Sequence, residues 1–412
     1  MNWGFDTNAI HAGVPSQGDG VPTAIPIVQS ASFSYDTATA LEDVFAGRQR
    51  GYVYSRISNP TVTALEERFV ALENGRAGVA FSSGMAAIAA TIESLCEAGD
   101  HLVASAGLFG GTLALFDEVL SRRGISVTWV DVTCHDDWKQ AIQPNTRLLF
   151  VEAISNPRLD VANIPELAAI ATQYGVPLVV DNTLTTPYLG SLREMGAHVV
   201  VHCLGKYSSG SGSSVGGIAV DLGVFDWSTC QSKLVQVASK RFGAFGWVAA
   251  LKKGVATHTG ACLSPINAYF IMMGLESLSL RMARHCENAL VLATALADHP
   301  LVESVTYPGL PHHPHRAFVD QWYGGRGGAI VTLTTRSKSD AFTWIDSLRL
   351  IRNASNLGDA KTLMIHPAST IYREASPDRR AMAGVTDTTL RLSVGIETVS
   401  DLLDDLLNRR SV

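Results

Sequence analysis

The feature that most restricts this chain is an alternation, between residues 78 and 221, of short β-branched runs with helix-like stretches of about a dozen residues. The runs are GVAF (78–81), HLVAS (101–105), ISVTWV (125–130), RLLFVE (147–152), VPLVVD (176–181), AHVVVHCL (197–204) and VGGIAVD (215–221). Several are apolar throughout instead of alternating, which is what strands covered by helices on both faces require. The pattern therefore predicts an α/β fold with βαβ units around a mostly parallel seven-stranded sheet. The last run follows its neighbour with no helix between them, so an antiparallel pairing is open to it.

Both flanks read differently. Residues 1–60 hold four prolines (Pro15, Pro22, Pro26 and Pro60) and little periodicity, and are expected to form an extended arm contacting a neighbouring subunit, ahead of a helix over 61–73. The sheet region then occupies a large domain, 61–255. Residues 256–412 form a smaller α+β domain, with a long helical stretch over 268–299, the strand-like AIVTLTT (329–335), a helix near 339–348 and a closing helix after Ser400. A chain of 412 residues is too long for one small core, which agrees with that division.

Apolar residues make up 46% and charged residues 17%, with a mean hydropathy of +0.15, so extra surface is expected to be buried between subunits. The formal charge of −6 comes without a long basic run, which argues against nucleic acid or anionic membrane and leaves small molecules as partners. The first residues carry neither a basic segment nor an apolar core, and no apolar run has the length of a membrane span; a cytoplasmic location is expected. Six cysteines stand singly, without the close pairs of zinc or redox motifs, and are expected to be reduced and mostly buried thiols; no metal is expected.

Ligands of doubly wound sheets bind beyond the carboxyl ends of strands. Asp181 closes VPLVVD, and Lys206 follows AHVVVHCL by one glycine. An amine and a carboxylate in one crevice are what a pyridoxal cofactor requires: the amine binds its aldehyde and moves protons, and the carboxylate keeps the ring nitrogen protonated. Ser82-Ser83-Gly84-Met85 lies where the first strand turns into the helical AAIAATIESL, a place where backbone N–H groups and the helix dipole can hold a phosphate.

The segments YSRISNPT (54–61), SSGM (82–85), LFGGT (108–112), SNP (155–157), VVDNT with TPYL (179–189), GKY (205–207), GACLSPINAY (260–269), GLESLSLRMARHCENA (274–289), NLGDAKTLMIHPAST (356–370) and RLSVGIE (391–397) together resemble the Cys/Met-metabolism family of pyridoxal-phosphate enzymes. The resemblance spans nearly the whole chain. It implies a fold-type-I architecture and pyridoxal 5′-phosphate, with Lys206 as the Schiff-base lysine and Asp181 as partner of the pyridine nitrogen. Gly84 and Met85 would hold the phosphate through their backbones, with Tyr54 and Arg56 reaching in from a neighbouring subunit of a homotetramer built from active-site-sharing dimers. Asn156 would lie against the ring oxygen, and Arg391 would clamp the α-carboxylate of an amino-acid substrate. The implied reaction is γ-replacement on an O-acylhomoserine, the acetyl ester foremost, by sulfide, a thiol or another nucleophile. A γ-lyase acting on methionine or cystathionine, a specialised enzyme with an unusual nucleophile and a catalytically silent cofactor-binding scaffold are the alternatives.

Three positions beside the expected cofactor, and a fourth in the loop after the lysine, depart from the family pattern. Phe109 stands where relatives usually have Tyr; it can stack on a ring but cannot exchange a proton, so loss of a poor leaving group should suffer most. Cys203 and Gly205 stand where hydroxyl residues usually bond the phosphate, a loss of roughly 1 to 3 kcal/mol unless Ser208, Ser209 or water substitutes. Ser211 replaces a frequent His. Other motifs read as structure. The G-x-S-x-G of 212–216 lacks the strand-to-helix context of a nucleophile elbow. PHHPH (311–315) reads as a solvated surface loop, Met272-Met273 as core packing, and Cys203 as a buried inert thiol.

Overall fold

The computed structural model describes residues 3–14 and 20–407. The alternating runs fold into β1 (Ala77–Phe81), β2 (His101–Ser105), β3 (Ser126–Val130), β4 (Thr146–Glu152), β5 (Leu178–Asp181), β6 (Val199–Cys203) and β7 (Gly217–Asp221). They lie side by side in the order β1-β7-β6-β5-β4-β2-β3. The pairs β2–β3, β2–β4, β4–β5 and β5–β6 are parallel, whereas β7 runs antiparallel to both β6 and β1. The reversal falls where no crossover helix separates two runs.

The continuous apolar character of these strands has a direct cause. Leu148 and Phe150 of β4 enter one core with Val179, Val199 and Val201, while Leu149 and Val151 enter another with Val180 and Val200. The strand period of two sends neighbours to opposite faces, and both faces are covered, so every position must be apolar. Each fully buried side chain of this size contributes about 1.5–3 kcal/mol. Truncating Phe150, for example, would cost about 3–5 kcal/mol.

The β6–β7 connection carries Lys206. Cys203 pairs with Gly217, and the Leu204 N–H bonds the Gly216 carbonyl at 2.9 Å, so the loop between them leaves and rejoins a single ladder.

The C-terminal part forms a second sheet from β8 (Val302–Thr306), β9 (Ile330–Thr335), β10 (Arg352–Asn353), β11 (Leu363–Ile365) and β12 (Thr389–Ser393), in the order β10-β11-β12-β9-β8. All its pairs but β10–β11 are antiparallel. Leu292 and Leu296 of the helix Leu278–Leu296, Trp344, Leu390, Leu392 and Leu402 form its own core. The chain is thus a mostly parallel α/β sheet with a smaller α+β sheet unit.

Two helical expectations differ from the structure. The stretch over 268–299 is two helices, Pro265–Leu275 and Leu278–Leu296, separated where Ser277 leaves helical backbone geometry (φ −113°, ψ 13°). The first 60 residues are not uniformly extended: they include helices Phe5–His11 and Ala38–Ala46. These are about two turns long, too short to display a helical period. Ala9 and Ile25 share a core with Leu65 and Phe69 of the helix Pro60–Leu72, so part of the arm packs on its own chain.

Candidate active site

Three neighbouring parallel strands end at one side of the sheet, β6 running two residues past Val201, the register partner of Asp181. β4 closes with Glu152, β5 with Asp181 and β6 with Cys203; Glu152 and Asp181 are register partners, and all three line a cavity of about 260 Å³. Its volume approaches the lower end of small-molecule pockets, about 300 Å³.

One wall is the start of the helix Gly84–Leu95. The Ser83 hydroxyl caps it by accepting from the Ala86 N–H at 3.1 Å, and the N–H groups of Gly84 and Met85 head its first turn. A Cβ on Gly84 would lie 2.7 Å from Cys203 Cβ, so only glycine lets this turn come so close to the end of β6. The Gly84 and Gly205 N–H groups lie against the Cys203 sulfur. Burial pushes that thiol up, against the pull of nearby Lys206, which keeps it protonated and unreactive at neutral pH.

The opposite wall comes from the smaller sheet. Arg391, in the middle of β12, is buried and donates from Nη1 to Asn156 Oδ1 at 3.3 Å and from Nη2 to the Asn356 carbonyl at 2.8 Å, while Nε has no partner. Lys206 Nζ donates to Asn356 Oδ1 at 2.6 Å. Asn356 therefore joins the amine and the guanidinium through one residue. Behind the cavity the single proton of the Tyr372 hydroxyl lies between the carbonyls of Leu108 (3.1 Å) and Asn156 (2.9 Å).

Burial sets the charge states. It lowers the Lys206 pKa from the ordinary lysine range, and the Arg391 charge pushes the same way. Burial raises the Asp181 carboxyl, opposed by hydrogen bonds from Thr183, whose N–H lies 2.9 Å from Asp181 Oδ1. Burial also lowers Arg391 to about 10, which still leaves it cationic at neutral pH.

Of the residues singled out from the sequence, Lys206, Asp181, Arg391, Phe109, Asn156, Gly84, Met85 and Cys203 all line this cavity. Gly205 does not; a Cβ there would meet the Ser214 carbonyl at 2.6 Å, so its role is to let the lysine loop fold back. Tyr54 and Arg56 lie elsewhere on the same chain. Tyr54 is exposed, and Arg56 bonds the Thr257 carbonyl in a separate pocket with Ser58, Glu66 and Lys252. Glu152, Thr183, Asn356 and Tyr372 were not singled out. Glu152 carries the same signal as Asp181, a polar residue closing an apolar run, whereas the other three sit in aperiodic segments.

The remaining motifs resolve as structure. His313 is buried and His315 Nδ1 accepts from the Val161 N–H at 2.7 Å, whereas Pro311, His312 and Pro314 are exposed, so PHHPH is a surface loop with two of its histidines packed inward. Met272 is core, but Met273 is exposed. Cys96, Cys230 and Cys286 are buried, Cys134 and Cys262 exposed, all free. Among the described residues no group of three or more His, Cys, Asp or Glu is arranged to hold a metal, and no helix is long and apolar enough to cross a membrane.

The donor set matches pyridoxal 5′-phosphate part by part. Lys206 offers an amine for the aldehyde, Asp181 a carboxylate for the ring nitrogen, Phe109 a ring face for stacking, and the Gly84–Met85 turn a cradle for the phosphate. Such a sheet with such a crevice defines a fold-type-I pyridoxal-phosphate enzyme. The family model for Cys/Met metabolism PLP-dependent enzymes matches residues 6–409, and the chain belongs to that family. It is 40% identical to an O-acetyl-L-homoserine sulfhydrylase of Corynebacterium glutamicum, over 98% of this chain and 96% of that protein. An L-methionine gamma-lyase of Fusobacterium nucleatum is 38% identical, over 98% and 97%. A crystal structure from Campylobacter jejuni, named for O-acetylhomoserine (thiol)-lyase and bearing a pyridoxyl-lysine phosphate, superposes with a TM-score of 0.91 at 28% identity, covering 98% of this chain and 99% of that one.

Proposed function

We propose that this chain is a transferase that replaces the acyloxy group on Cγ of an O-acylhomoserine, O-acetyl-L-homoserine foremost, with sulfide, a thiol or another nucleophile, releasing the carboxylate and giving homocysteine or an analogue. The observation that carries this reading is the convergence of Lys206, Asp181 and Arg391 on one cavity floored by a helix N-terminus.

When bound, the cofactor supplies the carbon that takes up the substrate amine and a ring that spreads the charge left by proton removal. Asp181 would hold a proton on the ring nitrogen, and the Gly84 and Met85 N–H groups would hold the phosphate. Arg391 receives the α-carboxylate: its Nε lacks a partner, and the neutral oxygens of Asn156 and Asn356 yield to an anion, whose bonds to guanidinium are stronger. The Lys206 amine, which burial makes readier to give up its proton, would remove the α-proton and then carry a proton at Nζ to and from Cβ. Phe109 shields this exchange from water and gives no proton, so the γ-substituent must depart unaided, as acetate can and a thiolate does less readily.

The same reading makes the protein a cytoplasmic homotetramer in which residues 1–60 are an arm, 61–255 the cofactor unit and 256–412 the C-terminal unit, with Tyr54 and Arg56 serving a neighbour's phosphate. Supporting it, Ile266, Phe270 and Met273 form an exposed apolar face on the helix Pro265–Leu275, at a spacing that suits a second copy. Light scattering tests the assembly.

Purified protein incubated with O-acetylhomoserine, O-succinylhomoserine and methionine, each with and without sulfide, tests the chemistry. Homocysteine from the acetyl ester, dependent on sulfide, is expected. Ammonia release from methionine with no thiol present would make the protein a γ-lyase instead.

A further inference from the structure

Glu152 was assigned no part in the chemistry above, yet it sits inside the same cavity, on the strand next to Asp181 and in register with it. Its Oε1 accepts from the Phe109 N–H at 2.7 Å, and the Asn156 N–H also bonds this carboxyl. Those two residues are the ones read as stacking on the ring and lining its oxygen. The other oxygen, Oε2, is buried with no hydrogen-bond partner.

Two carboxylates at the ends of adjacent strands, away from water, repel each other. The cations lining this cavity, Lys206 and Arg391, bond Asn356 and Asn156 and neither carboxylate, and a bound pyridoxal ring would bring one protonated nitrogen, enough for one negative charge. Asp181 has the Thr183 N–H and hydroxyl to support its charge, whereas the unpartnered Oε2 of Glu152 would be a bare anionic oxygen, which is far more costly to bury than a hydroxyl.

We propose that Glu152 is a positioning residue of the cofactor pocket that works as an uncharged acid: its carboxyl holds Phe109, through Oε1, and Asn156 in place, the proton resides on Oε2, and Asp181 alone carries the negative charge. Burial first, and the Asp181 charge second, push the Glu152 carboxyl well above the usual carboxylate range, which accords with this division. The proposal rests on the reading that a pyridoxal ring lies beside Asp181.

The experiment compares Glu152→Gln with Glu152→Leu in the full-length protein, using pyridoxal 5′-phosphate itself as the probe. Glutamine copies the neutral acid, with one oxygen to accept the two N–H bonds. Glu152→Gln is expected to bind the cofactor within about 3-fold of the parent, with an unchanged visible band and an unchanged pH midpoint for that band, because two neutral hydrogen bonds are kept. Glu152→Leu loses both bonds and is expected to bind at least about 10-fold more weakly with a shifted band. Infrared difference spectra of the cofactor-loaded parent should contain a protonated-carboxyl stretch that Glu152→Gln lacks. A glutamine variant as impaired as the leucine one, a leucine variant equal to the parent, or no protonated-carboxyl stretch overturns the proposal. If Glu152→Leu fails to fold by circular dichroism, the glutamine titration and the infrared band decide. Failure of the parent itself to bind the cofactor would instead overturn the reading on which the proposal depends.

Discussion

The two walls of the cavity are built on different principles. On the large-sheet side, Glu152, Asp181 and Cys203 are the last residues of three neighbouring strands, and hydrogen-bond register alone fixes their spacing. On the small-sheet side, Arg391 lies in mid-strand, flanked by the core residues Leu390 and Leu392, and reaches across to Asn156 and Asn356. The first wall belongs to one rigid element. The second meets it through packing and through hydrogen bonds that cross from one part to the other, among them Arg391 to Asn156, Lys206 to Asn356 and Tyr372 to the carbonyls of Leu108 and Asn156. The contrast assigns cofactor chemistry to the sheet edge and substrate orientation to the wall opposite, so variants on the two sides should fail in different ways.

The largest expected effect tests the first wall. Lys206→Ala should lower turnover by at least about 10⁴-fold, since removing a covalent catalytic group costs on this order or more, and should abolish the visible band of lysine-bound cofactor. Near-normal turnover of the purified variant would sink the assignment. On the second wall, Arg391→Lys keeps the charge but loses the planar fork; a fall in kcat/KM of about 10²-fold is expected, borne mainly by KM, with cofactor affinity little changed. If cofactor affinity falls in step with KM, the division between the walls is wrong. Phe109→Tyr restores a proton donor between them and should raise elimination from methionine by about 10-fold while changing acetyl-ester turnover less, a ratio read by parallel ammonia and homocysteine assays.

The smallest effect concerns stability. Burial lowers both His198, beside the large sheet, and His285, under the small one, to about 4. With folded pKa values below the unfolded value of about 6.5, the unfolded chain binds more protons in this window. Stability is therefore full above about pH 6.5 and falls as pH drops toward 4, by about 1.4 kcal/mol per residue per pH unit at most. Melting temperatures measured between pH 7 and 5 should decline for the parent and decline less for His198→Asn. An equal decline in both would remove His198 from the account.

Much of the first wall was legible because its signal is local. An apolar run must end where the strand leaves its covering helices, and a polar residue at that point faces the crevice; this singled out Asp181 and applies equally to Glu152, which was passed over. The missing helix left the direction of β7 open, and the structure makes it antiparallel. The second wall was legible mainly by resemblance: Arg391 sits among apolar neighbours in TLRLS, and nothing in that spacing says it reaches Asn156, 235 positions earlier. Asn356 lies in an aperiodic loop, so its bond to Lys206 arises only from tertiary packing. The helices between Lys233 and Thr259 went unread because they are short, irregular and partly amphipathic. The packing of His313 and His315 was hidden for a related reason: prolines mark a break in regular structure without saying whether water covers it.

The two-ended attachment of the lysine loop has an engineering consequence. Because residues 205–215 start and finish on facing rungs, Cys203 with Gly217, their length is uncoupled from the sheet's register. Residues could be added or removed near Ser211–Ser213, which are exposed, to retune how far the amine extends, while the strands on either side keep their alignment. A fold that hung its amine on a crossover helix would have no such adjustable spacer.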